Sequence, residues 1–246
     1  MTTHNLLEGK TVVVTAAAGT GIGFATAQRC VEEGARVLIS DIHERRLRES
    51  AEKLGAHGVL CNVTNEDDVQ HLIAEAIDVM GGVDVLVNNA GLGGTARLID
   101  MTDEQWYGVL DVTLTGTMRM TRAALEHMCA RGSGSIVNNA SVVGWRAQEG
   151  QSHYAAAKAG VMALTRCAAI EAAANGVRVN AVAPSLAMHE HLVKVTTEEL
   201  LAELAQNEAF GRAATPEEVA NVIVFLASDL ASYMTGEVVS VSSQHP

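Results

Sequence analysis

Along the chain, short runs of β-branched and other apolar residues alternate with longer stretches whose apolar positions recur at helical spacing. The runs at 11–15, 36–40, 58–61, 83–87, 134–139, 177–182 and 237–241 predict strands. Between them, segments near 21–33, 43–54, 66–80, 103–130, 152–175 and 216–227 predict helices. Strand and helix in strict alternation make βαβ units, which require parallel strands joined by right-handed crossovers. The fold class expected is α/β: a single Rossmann-like, doubly wound parallel sheet of about seven strands, as one domain over residues 1–246. One connection breaks the pattern. After Ala183-Pro184-Ser185 the chain runs to about residue 214 with only a short helical piece near 197–205, too long for a simple helix–strand link. An insertion at the carboxyl end of a strand lies where open α/β sheets bind ligands, so 185–214 is expected to be a substrate lid. No internal repeat, low-complexity tract or interdomain linker interrupts the rest.

Composition narrows the classes. With 48 % apolar but only 3 % aromatic residues, the core must be filled by Val, Leu, Ile and Ala, which suits a parallel sheet covered by helices on both faces. A formal net charge of −12 argues against nucleic acid or an anionic membrane as a partner and favours a soluble protein, leaving a small-molecule substrate as the expected partner. The N-terminus lacks a basic-then-apolar signal pattern, and no run reaches the ~18 apolar residues of a membrane span. Cys30, Cys61, Cys129 and Cys167 are far apart and share no metal-ligand spacing with histidine, so buried reduced thiols, a cytoplasmic location and no metal site are expected.

The chemistry concentrates at strand ends. After the first strand, Thr15-Ala16-Ala17-Ala18-Gly19-Thr20-Gly21-Ile22-Gly23 opens a helix; glycines let backbone approach a pyrophosphate, and the helix N-terminus favours its charge. Such a cluster can equally be an ordinary turn, but its place between first strand and first helix favours a dinucleotide. Asp41 ends the second strand 20 residues after Gly21, placed to accept from adenosine ribose hydroxyls and to repel a 2′-phosphate; as the alternative it caps the helix that follows. NAD is therefore expected over NADP. Arg45 and Arg46 argue the other way, but lie four and five residues beyond Asp41.

Tyr154 and Lys158 are four apart in a segment rich in Ala and so project from one helical face. A neighbouring ammonium favours phenolate, bringing the tyrosine toward the range of a general base. Ser141, after the fifth strand, can hold a substrate oxygen beside the phenol. Alone, a Tyr/Lys pair would read as an amphipathic surface helix; the small residues around this one read as a buried helix.

These motifs resemble those of the short-chain dehydrogenases/reductases over essentially the whole chain: Tyr154-x-x-x-Lys158, Ser141 thirteen residues earlier, Asn88-Asn89-Ala90-Gly91, the glycine turn, and Val179-Asn180-Ala181-Val182-Ala183-Pro184. The resemblance implies an oxidoreductase acting on an alcohol or ketone, with Tyr154 as acid/base, Ser141 orienting the substrate oxygen, and Lys158 holding the nicotinamide ribose and lowering the tyrosine pKa. It implies cofactor contacts from Thr15, Ala16, Gly19, Thr20, Gly21, Ile22, Asp41, Asn62, Val63, Asn89, Ala90, Gly91, Pro184 and Ser185. Several positions depart from the family pattern. The glycine turn has lost one glycine and gained one residue. Asn62 replaces an acidic adenine reader while keeping an acceptor oxygen. Thr113 stands in Val112-Thr113-Leu114 where the family has Asn, so a relay water would rest on its main-chain carbonyl. His189 and Ser242-Ser243-Gln244 replace the family's carboxamide-contacting Thr and terminal Asp-Gly-Gly.

Substrate choice falls to the loops. Gly93-Gly94 leaves room for a bulky ring, and Arg146, His189, His191 and Lys194 could meet an anionic group such as a coenzyme A phosphate, or be solvated charges. The stretches 14–21, 41–47, 144–148 (with Gln148) and 234–244 resemble a branch of the family linked to bacterial steroid catabolism, which implies a bicyclic hydroxy-indanone propanoate or its CoA thioester as substrate. A general 3-oxoacyl-thioester reductase is the alternative, and a non-catalytic NAD-binding scaffold or sensor the alternative of another class. The helix containing Lys158, Arg166 and Glu171 carries too few charges to be a solvated face, so a homo-oligomer, a tetramer by the family's habit, is expected.

Overall fold

The computed structural model describes residues 3–188 and 197–243. Seven parallel strands form one sheet: β1 (Thr11–Val14), β2 (Arg36–Asp41), β3 (His57–Leu60), β4 (Val85–Asn88), β5 (Gly134–Asn139), β6 (Val177–Pro184) and β7 (Val238–Val241). Their order is β3-β2-β1-β4-β5-β6-β7, so the winding reverses between β1 and β4. At that point the two connections leave in opposite directions, opening a crevice at the strands' carboxyl ends. Strand boundaries shift from the sequence reading by one or two residues; β6 extends to Pro184 because its last residues pair with β7.

The helices are α1 (Ile22–Glu32), α2 (Glu44–Leu54), α3 (Glu66–Met80), α4 (Asp103–Leu110), α5 (Gly116–Arg131), α6 (Ser152–Ala173), α7 (Glu198–Gln206) and α8 (Pro216–Ala227). Two apolar clusters cover the two sheet faces. One joins Val13, Leu38, Leu86 and Ile136 to Leu72, Met120 and Ala169; the other joins Val12, Val14, Ile39 and Val87 to Ala27, Ile223 and Val224. Side chains alternate across each strand, so consecutive valines of β1 feed opposite layers.

The stretch read as one helix over 103–130 is corrected: α4 and α5 are separated by a π-helical turn at Asp111–Thr115. The wider turn centres on Thr113 and is followed by Gly116, where a Cβ would come within 2.7 Å of Val63 Cγ2. Within 185–214, Ala187 bridges Ala214 and α7 lies between them in sequence. Glu208, 3 % exposed, accepts from Leu186 N, Ser243 N and Ser243 Oγ, tying this segment to the end of the chain. Cys30 and Cys61 are buried thiols, each pushed up to about 12 by burial. The expectation of burial fails for Cys167, which is exposed, and for half-buried Cys129. No helix among the described residues is long and apolar enough to cross a membrane, and no group of metal-binding side chains gathers among them.

Candidate active site

At the crevice, the glycine turn is held from within. Ala16 takes φ +50° and Gly19 φ +108°. Ala17 N donates to Ser40 O, Ala18 N to Asp41 Oδ2 at 3.2 Å, and Gly19 N to Ser50 Oγ at 3.1 Å. These bonds occupy the N–H donors of Ala17, Ala18 and Gly19. What remains for an anion is the first turn of α1, whose N-cap Gly21 adds no side chain and which carries no acidic residue. Gly23 admits no substituent: a Cβ would lie 2.4 Å from Ala16 O and 2.5 Å from Asn89 Nδ2. Above Gly19 and Gly21 there is open space, as the approach of a phosphate requires. Thr20 is exposed and Ile22 half-buried beside it.

Asp41 does more than either reading assigned it. One oxygen accepts from His43 N at the start of α2 and the other from Ala18 N, so it joins the capping region to the glycine turn. Burial raises its pKa, against the lowering effects of Ala18 N, Arg46 and Ile42 N. Asn62 departs from expectation: its Oδ1 accepts from Thr64 N and Thr64 Oγ1, and is thus committed to a local turn instead of open for adenine. Val63 is buried against Gly116.

Asparagines knit the crevice together. Asn89 Nδ2 donates to Thr15 O and Ala16 O, and Asn89 Oδ1 accepts from Asn139 Nδ2. Thr15 Oγ1 accepts from Asn89 N and Ala90 N. Beneath, Asn88 Nδ2 donates to Thr121 Oγ1 and Asn138 Oδ1, and Asn138 Nδ2 to Thr165 Oγ1, linking β4 and β5 to α5 and α6. Sequence reasoning missed Ser50, Asn138 and Asn139 because each acts through a neighbour from another element.

Ser141, Tyr154 and Lys158 converge on one side of this crevice. Ser141 caps the short turn after β5, its Oγ accepting from Val143 N, and reaches Pro184 O at 3.5 Å. Its nearness to the Tyr154 hydroxyl tempers the upward push of burial on the phenol. Lys158 Nζ lies 5.5 Å from the Tyr154 ring centroid and donates to Asn139 O at 2.5 Å. Only 3 % exposed, the lysine is pushed down to about 8 by burial. The expectation that Lys158 draws the phenol downward is not met in the protein alone: burial dominates and the tyrosine is raised. Gly91 packs over this lysine, a Cβ there falling 3.6 Å from Nζ.

Thr113 faces the same loop. Its Oγ1 accepts from Leu92 N at 3.0 Å and donates to Leu92 O at 3.2 Å, while its carbonyl accepts from Thr117 Oγ1 at 2.8 Å. The hydroxyl thus fixes the start of the 92–95 loop. Gly93 is open on its Cβ side. Gln148 is not gathered around Tyr154; with Arg97, Leu98, Ile99, Glu149, Gly150 and Ser152 it lines a neighbouring cavity of about 300 Å³. Arg146 is half-buried and Ser185 follows Pro184 with its N–H on Val241 O. His189, His191 and Lys194 lie outside the described residues, as does Gln244.

A dinucleotide crevice joined to a hydroxyl pair and a buried ammonium defines a class: nicotinamide-dependent oxidoreductases that move a hydride and a proton at a carbon–oxygen bond. The family model described as enoyl-(acyl carrier protein) reductase matches residues 16–243. Over 250 residues, covering 99 % of this chain and 95 % of the relative, the chain is 63 % identical to the (5R,7aS)-5-hydroxy-7a-methyl-1-oxo-2,3,5,6,7,7a-hexahydro-1H-indene-carboxyl-CoA reductase of Mycobacterium tuberculosis. It is 40 % identical over 247 residues, 96 % of this chain and 97 % of the other, to the 3-oxoacyl-(acyl-carrier-protein) reductase of Thermotoga maritima. The crystal structure of a short chain dehydrogenase from Mycobacterium smegmatis superposes with a TM-score of 0.89 at 56 % identity, covering 100 % of this chain and 97 % of that one. The chain belongs to the short-chain dehydrogenase/reductase family of nicotinamide-dependent oxidoreductases.

Proposed function

We propose that the protein interconverts a secondary alcohol and a ketone on a bicyclic hydroxy-indanone acid or its CoA thioester, using NAD. The observation that carries this reading is the Ser141–Tyr154–Lys158 grouping at the crevice, in a chain 63 % identical to a reductase named for such a thioester. The open helix N-terminus of α1, the space above Gly19 and Gly21, and Asp41 fit a dinucleotide. A nicotinamide held in this crevice would supply or accept the hydride at the substrate carbon. Ser141 donates to the substrate oxygen and orients it; Tyr154 gives or takes the proton at that oxygen. Lys158, anchored by Asn139 O, keeps N–H bonds for a ribose hydroxyl and holds positive charge beside the phenol. Burial keeps water from competing for both groups. Residues 185–214, of which 189–196 lie outside the described residues, serve as the lid.

NAD is favoured over NADP because Asp41 carries a carboxylate at the ribose end and neither Gly19 nor Thr20 supplies a cation. Arg45 is paired with Glu49, whereas Arg46 acts electrostatically on Asp41 and is the residue that would favour a 2′-phosphate. A 3-oxoacyl-thioester reductase remains the second reading, favoured by the 40 % identity to the Thermotoga maritima enzyme.

The deciding experiment measures kcat/KM for NAD⁺ and NADP⁺ with bicyclic hydroxyacyl-CoA, its free acid and linear 3-hydroxyacyl-CoA. NAD⁺ with the bicyclic thioester should rank first; preference for the linear thioester would move the assignment to the second reading. Tyr154→Phe should abolish turnover while leaving cofactor affinity nearly intact. Wild-type turnover in that variant would remove the acid/base assignment.

A further inference from the structure

The loop that follows β4 is fastened to the catalytic side of the molecule at successive residues. Thr113 Oγ1 clasps Leu92 through both N and O. Gln151 Nε2 donates to Gly94 O at 2.9 Å and to Thr95 Oγ1 at 3.2 Å, and Ala96 N donates to Gly150 O at 3.0 Å. Between these ties lies His153, which the family motif does not include. It is 2 % exposed, and its buried Nδ1 has no hydrogen-bond partner among the described residues. Its Nε2 faces Gly94: a Cβ there would stand 3.3 Å from Nε2 and 3.9 Å from Cε1.

Burying a ring nitrogen unpaired costs stability, and an apolar side chain of similar volume would avoid that cost. Departures of this kind from the rules of stable packing gather where a structure serves function. The departure here is one residue before Tyr154, in the first turn of α6, under the loop whose Gly93-Gly94, by the sequence reading, leaves room for the substrate ring. We infer that His153 is a positioning residue: its imidazole is the spacer that sets the distance between the Gly93-Gly94 backbone and the helix carrying Tyr154, and through it the fit of the substrate. Gly94 is then the matching half of the contact, since a side chain there would press on the ring. The inference rests on the reading of this loop as a substrate wall.

A double-mutant cycle tests it. Gly94→Ala, His153→Ala and the double variant are compared with wild type using the bicyclic hydroxyacyl-CoA of the proposed function, with NAD⁺. Hydrogen exchange at the amides of residues 92–96 is followed in parallel without substrate. Each single variant should raise KM several-fold while kcat stays within about twofold. The double variant should fall short of the product of the two effects by at least about threefold, because removing the ring makes room for the new methyl. Exchange at 92–96 should speed up in His153→Ala, and His153→Gln, which restores the length, should slow it again. Multiplicative KM effects, or exchange unchanged in His153→Ala, would overturn the inference. Exchange reads the spacer even if the alcohol is not turned over, and that outcome would count against the proposed function alone. Should His153→Ala fail to fold, Gly94→Ala with His153→Val, which likewise withdraws the ring from Gly94, completes the cycle.

Discussion

Lys158 shows how a residue can serve the reaction against the interest of the fold. Its ammonium is buried and donates to Asn139 O, and burial pushes its pKa from 10.5 down to about 8. In the unfolded chain the lysine keeps its proton until about pH 10.5, so between pH 8 and 10.5 the unfolded state binds more protons and stability rises with pH. Below pH 8 the penalty is fully present, on the order of 3 kcal/mol. Lys158→Met keeps the stem and removes the charge. It should raise the melting temperature at pH 7, lose that advantage above about pH 10, and be inactive. Thermal melts at pH 7 and pH 10 check this, and a lower melting temperature at pH 7 would show that the bond to Asn139 outweighs the buried charge. The Tyr154/Lys158 spacing was legible in the sequence because helical geometry fixes it. The sign of the tyrosine's pKa shift was not, since desolvation depends on what the fold stacks around the hydroxyl.

At the level of elements, the π-helical turn and the glycine turn carry the departures from the family pattern. From sequence, the change at Thr113 pointed to the main-chain carbonyl and made Thr113→Val look harmless. The structure gives the hydroxyl its own task at Leu92, and Thr113 is 0 % exposed. Thr113→Val should therefore cost about 1–2 kcal/mol in denaturant unfolding and raise KM more than it lowers kcat, with Thr113→Ser near wild type. A loss in Thr113→Ser with Thr113→Val near wild type would point instead to the methyl, which only the serine lacks. The helix break was invisible in the sequence, where 103–130 keeps a continuous helical pattern; the tight approach of Gly116 to Val63 arises only after α3 and α5 pack side by side. In the glycine turn, Gly23→Ala should destabilise the protein by about 3 kcal/mol or more and weaken cofactor binding, because the new methyl meets backbone that cannot move aside. Calorimetric titration with NAD⁺ and a melt measure the two effects separately.

For the molecule as a whole, α6 presents an apolar surface that the described residues leave uncovered. Exposed Ala156, Ala163, Cys167 and Ile170 form a stripe along it, with Ile170 80 % exposed, and Tyr107 on α4 is 64 % exposed. An apolar stripe of this kind is covered in an oligomer. Sedimentation at micromolar concentration should find a tetramer, and Ile170→Glu should shift it toward smaller species; a wild-type monomer would sink the expectation.

Sequence by itself determined the seven-stranded parallel sheet and the places where chemistry gathers, because strand–helix alternation, glycine at a strand end and a Tyr/Lys pair four apart are local patterns. The side chains that hold those groups in place were decided only by tertiary structure. Asn139 anchors Lys158, Ser50 occupies Gly19 N, Thr64 claims the oxygen of Asn62, and His153 lies under Gly94. Each of these contacts joins separate elements or competes for one lone pair. Hydrogen bonds are directional and short, so which donor reaches which acceptor is fixed only once the packed layers set distances to a few tenths of an ångström.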